Sequence, residues 1–180
     1  MGIDEVGRGA WAGPLVIGAV ILDSPVKGLK DSKLLTARRR LKLAEEIFNS
    51  AIFAGLGWAE AEEIDEYGLS AAHALACRRA VKNSPDCKQI IIDGNFNYLS
   101  DHLNTICMIK ADQTIPAVSA ASIIAKVARD NYMAGLHTDF PLYNFLKNVG
   151  YGTKIHREAL MTQGPTSHHR RSFEPIASLL

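Results

Sequence analysis

Gly2-Ile3-Asp4-Glu5-Val6-Gly7-Arg8-Gly9 opens the chain, and Leu15-Val16-Ile17-Gly18-Ala19-Val20-Ile21-Leu22 follows across a loop holding Gly13 and Pro14. Both are short apolar runs, and a Gly/Pro-rich connection between two such runs predicts an antiparallel pair of strands. The second run is apolar on both faces, which predicts a central strand covered on each side. The first carries two adjacent acids. Neighbouring carboxylates repel and are costly to desolvate, so a folded chain gathers them only with a cation or a proton to share. Gly7 and Gly9 let the backbone approach a ligand closely. Acids for a metal beside bare backbone for a polyanion point to phosphate-ester chemistry. Side chains at 4 and 5 of a regular strand point to opposite faces, so both reaching one site requires a twisted or bulged strand end.

Working outward, residues 23–35 read as loop. Thr36 is a good N-cap for a helix carrying Leu41, Ala44, Ile47 and Phe48 on one side. Residues 51–59 fit a third strand whose glycines predict close packing or a bulge. Helical text covers 60–66 and 69–84, where Ala71, Ala72, Leu75, Ala76 and Ala80 recur at helical spacing. Strands follow at 89–94, ending in Asp93-Gly94, and at 105–109, leading into Lys110-Ala111-Asp112. A helix from about 117 to 137 is rich enough in alanine to approach a sheet closely, and Thr153 caps a shorter helix to about Met161. The tail after Gly164-Pro165 reads as polar, then weakly apolar. This order predicts an α/β fold with a mixed five-stranded sheet covered by helices.

The 180 residues fit one domain with a sizeable core, at 47% hydrophobic, 22% charged and a net charge of +1. Binding to nucleic acid through bulk charge alone is excluded. Positive charge is clustered at Arg38-Arg39-Arg40, Arg78-Arg79 and His168-His169-Arg170-Arg171, which read first as solvated helix faces and a polar tail. Three cysteines, Cys77, Cys87 and Cys107, have no metal-ligand spacing and read as reduced thiols of a cytoplasmic protein. No signal peptide, membrane span or oligomer is expected, so the chain reads as a monomer.

Four acids fall at strand ends beside glycine or loop: Asp4, Glu5, Asp93 and Asp112. Ligands of open α/β sheets collect at such ends. Carboxylates without His or Cys partners are hard oxygen ligands suited to Mg²⁺ or Mn²⁺, and two such ions would support in-line attack on a phosphodiester. No histidine pair has convincing zinc spacing.

Asp4-Glu5-Val6-Gly7-Arg8-Gly9 with Ala12-Gly13-Pro14 resembles the opening signature of bacterial type 2 ribonuclease H. Asp31-Ser32-Lys33, Asp93-Gly94-Asn95, Lys110-Ala111-Asp112, the run from Val118 to Asp130 and Gly150-Tyr151-Gly152-Thr153 resemble its later blocks. Gly164-Pro165 with His169-Arg170-Arg171-Ser172-Phe173 resembles its closing block. The matches run in order along nearly the whole chain.

The resemblance implies a ribonuclease H-like fold over residues 1–180, with a helical, substrate-binding C-terminal part from about residue 140. It implies a metal-dependent endonuclease that hydrolyses the RNA strand of RNA–DNA hybrids. It also implies incision 5′ of single ribonucleotides in duplex DNA, leaving 3′-hydroxyl and 5′-phosphate ends, in ribonucleotide excision repair and primer removal. By motif position Asp4, Glu5, Asp93 and Asp112 are the catalytic, metal-binding acids. Gly7, Arg8 and Gly9 would meet the ribose 2′-hydroxyl, the local difference between RNA and DNA. Tyr151 would lie against the neighbouring sugar, and Lys33 resembles a phosphate or site-edge lysine. Asp130 is left out of the metal set because Lys126, four residues earlier on a helix, explains it as an ion pair.

Leu34, Ala10-Trp11 and Asn148-Val149 depart from the family's common lysine, Pro-Leu and His-Lys. They are expected to remove phosphate contacts and weaken hybrid affinity without touching a metal ligand. Competing readings are a DNA-directed nuclease of the same fold, such as a junction resolvase, a non-catalytic hybrid-binding module, and a two-carboxylate glycosidase. A type 3 ribonuclease H is disfavoured because that family carries an N-terminal domain ahead of the motif that begins here at Asp4.

Overall fold

The structure, a computed structural model, describes residues 1–29, 35–102 and 104–180. The Asp31-Ser32-Lys33 block and Leu34 lie outside the described residues. Five strands, β1 (Gly2–Val6), β2 (Leu15–Leu22), β3 (Ala51–Ala59), β4 (Ile90–Asp93) and β5 (Thr105–Met108), form one sheet in the order β3-β2-β1-β4-β5. β1, β2 and β3 pair antiparallel, whereas β4 pairs parallel to β1 and to β5, so the sheet is mixed. β2 is central and buried over six of its eight residues, as its unbroken apolar run predicts.

The helices are α1 (Ala37–Ser50), α2 (Ala61–Tyr67), α3 (Leu69–Val81), α4 (Pro116–Asp139), α5 (Phe145–Asn148) and α6 (Lys154–Gln163). Thr36 and Thr153 cap α1 and α6 as expected, each side-chain oxygen accepting an amide three residues on. α3 covers one face of the sheet, where Ile3, Leu15, Ile17 and Ala19 pack with Ala72, Ala76 and Ala80. α4 and α1 cover the other, where Val20 meets Ala120, Ala121, Ile124, Leu43 and Ile47.

Small residues set the spacing of these layers. A Cβ at Gly18 would strike the backbone of Ala121 on α4, and one at Gly57 would strike Ala76 on α3. The glycines of β3 therefore mark close packing, and β3 also carries an irregularity near its start, where Ile21 and Leu22 pair with Phe53 and Ala51 and Ile52 is the extra residue. Beyond α4 the chain forms a smaller apolar cluster of Ala12, Met133, Leu136, Tyr143, Phe145, Leu160 and Ile176. No helix among the described residues is long and apolar enough to cross a membrane.

The basic clusters divide. Arg79 forms a two-pronged pair with Glu63 (2.6 and 2.8 Å), and Arg40 meets Asp130 at 3.6 Å. The tail reading fails at its centre, because His169 and Arg170 are buried at 1% and 0% exposure. Burial of so long a cation requires polar partners on every side.

Substitution Gly18→Ala is expected to destabilise the fold by about 1–3 kcal/mol, since α4 must move off the sheet to admit the methyl group. Urea unfolding measures it, and an unchanged midpoint would remove this contact from the packing argument.

Candidate active site

The strands bring three acids from distant parts of the chain to one end of the sheet. Asp4 leaves β1 on the α4 face, opposite Gly18 of β2. Asp93 ends β4, which runs parallel to β1, so both strands deliver their last residues to the same edge. Asp112 sits on the short 3-10 turn Ala111–Gln113 just past β5. The Asp93 carboxylate accepts the Ala111 amide at 2.7 Å and ties that turn to β4. One carboxylate oxygen from each of Asp4, Asp93 and Asp112 lies within 4.8 Å of the others.

Glu5 stands outside this triplet. β1 pairs in register from Gly2 to Val6 without a bulge, so strand alternation turns the Glu5 side chain away from that of Asp4. Glu5 nevertheless borders the same cleft, of about 330 Å³, together with Asp4, Val6, Asp93, Asp112, Ser122, Lys126 and Tyr151. Ser122 and Lys126 line the wall although neither is a strand-end acid; their i, i+4 spacing on one face of α4 is the sequence signal that marks them.

Electrostatics distinguish the site from an ordinary set of surface acids. Burial pushes the Asp4 carboxyl up to about 8, the Ser122 hydroxyl bond opposes this, and the charges of Glu5 and Asp93 add to it. Asp4 and Asp112 are only 7% and 8% exposed. Converging hard oxygen donors with excess negative charge fit a divalent cation such as Mg²⁺ or Mn²⁺. Lys126 pairs with Asp130 at 2.5 Å, which accounts for Asp130 outside the acid triplet.

The turn Gly7-Arg8-Gly9 begins one residue past the cleft-lining Val6, and Arg8 and Gly9 are exposed. It is linked to the Tyr151 loop, because the amides of Trp11 and Ala12 both donate to the Gly150 carbonyl, at 2.9 and 3.2 Å. Tyr151 is 39% exposed at the cleft, and Arg129 lies 5.7 Å from its ring centroid. A buried histidine pair holds its backbone. Thr166 N–H donates to His169 Nδ1 (2.9 Å), so a neutral His169 carries its proton on Nε2 and donates to His156 Nε2 (2.9 Å). His156 Nδ1–H then donates to the Tyr151 carbonyl at 3.0 Å. Burial keeps both rings neutral, lowering His156 and pulling His169 down to about 3.

Two of the residues that depart from the family pattern support this loop. Asn148 is buried, donating to the Tyr143 carbonyl (2.6 Å) and accepting the Gly150 amide (2.9 Å). Trp11 packs where a Cβ on Gly152 would fall.

Comparison with known proteins agrees with this geometry. The family model described as Ribonuclease HII matches residues 1–176. A Ribonuclease HII of Streptomyces avermitilis is 45% identical over 99% of this chain and 78% of its own. One of Thermus thermophilus is 44% identical over 98% of this chain and 86% of its own. The crystal structure of ribonuclease H2 from Pyrococcus horikoshii superposes with a TM-score of 0.82 at 28% identity, covering 99% of this chain and 95% of that one. A mixed five-stranded sheet with acids at its strand ends, matched along nearly all of its length, places the chain in the ribonuclease HII family of enzymes.

Proposed function

We propose that this protein is a metal-dependent ribonuclease H that hydrolyses the RNA strand of RNA–DNA hybrids and cuts 5′ of single ribonucleotides in duplex DNA. The observation that carries this reading is the convergence of Asp4, Asp93 and Asp112 in one cleft with Tyr151 on its wall. These three acids, with Glu5 at the border, would hold two divalent cations. When bound, such ions activate water and stabilise the departing oxygen of a phosphodiester.

The chain's own residues set position and selectivity. The Ser122 hydroxyl hydrogen-bonds the Asp4 carboxylate and fixes it against α4. The exposed Gly7-Arg8-Gly9 turn receives the 2′-hydroxyl, a group that both donates and accepts and that deoxyribose lacks. Tyr151 packs against the adjoining sugar, where a deoxyribose fits better than a ribose, and so favours a junction between RNA and DNA. The residues from about 140 onward supply this wall of the substrate groove. Water adds to phosphorus as the bond to the 3′-oxygen breaks, and that oxygen leaves as a 3′-hydroxyl opposite a 5′-phosphate. The products fit a role in ribonucleotide removal and primer removal.

The deciding assay offers a duplex with one ribonucleotide and its all-DNA twin, with Mg²⁺, with Mn²⁺ and with EDTA. Cutting of the first alone, abolished by EDTA, is expected. Equal cutting of both would make this a DNA-directed nuclease, and metal-independent binding without cleavage would make it a binding module. Tyr151→Ala is expected to slow cleavage at the single ribonucleotide by about 10-fold or more with little change in melting temperature; unchanged kinetics would return Tyr151 to a role in the loop.

Asp4→Asn should separate stability from activity. In the metal-free protein the folded Asp4 keeps its proton up to about pH 8, whereas the unfolded chain loses it near 3.8. The folded state therefore binds more protons in that window, and stability falls as pH rises from about 4 to about 8. Asparagine removes the buried charge, so the variant in EDTA at pH 8 should gain on the order of 1–3 kcal/mol over wild type. Its turnover in saturating Mg²⁺ should fall about 10²–10³-fold. Wild-type turnover would take Asp4 out of the site.

A further inference from the structure

Arg170 is fully buried, and among the described residues it forms no ion pair with a carboxylate. Its guanidinium makes four hydrogen bonds to backbone carbonyls instead. Nε donates to Gly13 O (3.1 Å), one terminal nitrogen to Arg8 O (2.8 Å), and the other to Gly7 O (2.7 Å) and Gly13 O (2.9 Å). Arg129, also fully buried, performs a parallel task one step deeper. It donates to Pro14 O (2.8 Å), Val149 O (2.7 Å) and Ala12 O (3.1 Å), and it packs where a Cβ on Gly7 would fall.

The carbonyls of Gly7 and Arg8 thus both point inward. In a planar trans peptide the C=O and the N–H of the same unit point in opposite directions. Two consecutive amides, those of Arg8 and Gly9, are therefore turned outward. Both residues are exposed, and neither amide has an acceptor among the described residues. Successive outward N–H groups form a concave donor site for an oxygen-rich ligand. The guanidinium charge at the carbonyl end polarises the same two peptide groups and strengthens their donors.

We propose that Arg170 is the positioning residue for ribonucleotide recognition: by anchoring the Gly7 and Arg8 carbonyls it aims the Arg8 and Gly9 amides at the ribose 2′-hydroxyl. This rests on the proposed ribonuclease H reading of the site. Arg170 touches no reacting atom and acts through the turn. A lysine at this position keeps the charge but cannot span three carbonyls in a fixed fork.

The test compares wild type, Arg170→Lys and Ile47→Ala, a core variant on α1 that lowers stability without touching the turn. Affinity for the single-ribonucleotide duplex and for its all-DNA twin is measured in Ca²⁺, and kcat and KM in Mg²⁺. Arg170→Lys is expected to lose at least about tenfold of the preference for the ribonucleotide duplex through KM, with all-DNA binding unchanged. Ile47→Ala should keep the wild-type preference. A folded Arg170→Lys with full preference, or equal losses in both variants, would overturn the proposal. Absence of any preference in wild type would instead overturn the functional reading beneath it. Should Arg170→Lys fail to fold, the amide resonances of Arg8 and Gly9 in the wild-type protein decide. A shift of both on adding the ribonucleotide duplex but not its twin supports the proposal, and unmoved resonances overturn it.

Discussion

Negative charge held out of water at the end of β1 is the constraint around which the molecule is arranged. Asp4 is almost fully buried with two other carboxylates nearby, and its carboxyl is pushed up to about 8 as a result. A fold does not gather such groups for stability, because each added acid raises the cost of ionising the next. The parallel pairing of β1 with β4 makes the convergence possible by sending both strands' last residues to one edge, and the Asp93–Ala111 hydrogen bond brings the Asp112 turn to the same place.

The close approach of α4 to the sheet belongs to the same arrangement. Gly2 and Gly18 leave room for the backbone of α4, and that approach puts Ser122 against Asp4 and Lys126 on the cleft wall. Further along the helix, Arg129 reaches across to the carbonyls of Ala12, Pro14 and Val149. One helix thus carries the acid's hydrogen-bond donor, a cationic wall and an anchor for the loops at the rim. A kink or shift in α4 would alter all three together.

The loops at the rim are held by buried cations and neutral rings whose partners are mostly backbone oxygens. Arg170 and Arg129 take carbonyls from the 7–14 segment, and the His169–His156 chain ends on the Tyr151 carbonyl. Main-chain partners fix the course of the backbone directly, which suits segments lacking regular secondary structure. Asn148 belongs to this scaffold, with its side chain bonded to the Tyr143 carbonyl and the Gly150 amide.

Much of this was legible in the residues themselves. Apolar runs located β1 to β5, threonines marked two helix starts, and the strand-end pattern singled out Asp4, Glu5, Asp93 and Asp112, of which three form the close triplet. Those signals are local: they depend on the pleat, the helical repeat and the chemistry of single side chains. The division between Asp4 and Glu5 followed from strand alternation, but only the regular β1 pairing decided that no bulge overrides it. The burial of Arg170, 162 residues from the carbonyl of Arg8 that it holds, had no local signature. In sequence it stands in a basic tail, and an arginine facing solvent reads the same as one enclosed by carbonyls. Its partners are main-chain oxygens, which every residue supplies, so no pattern of side chains could announce them, and tertiary packing alone chose which ones it would find.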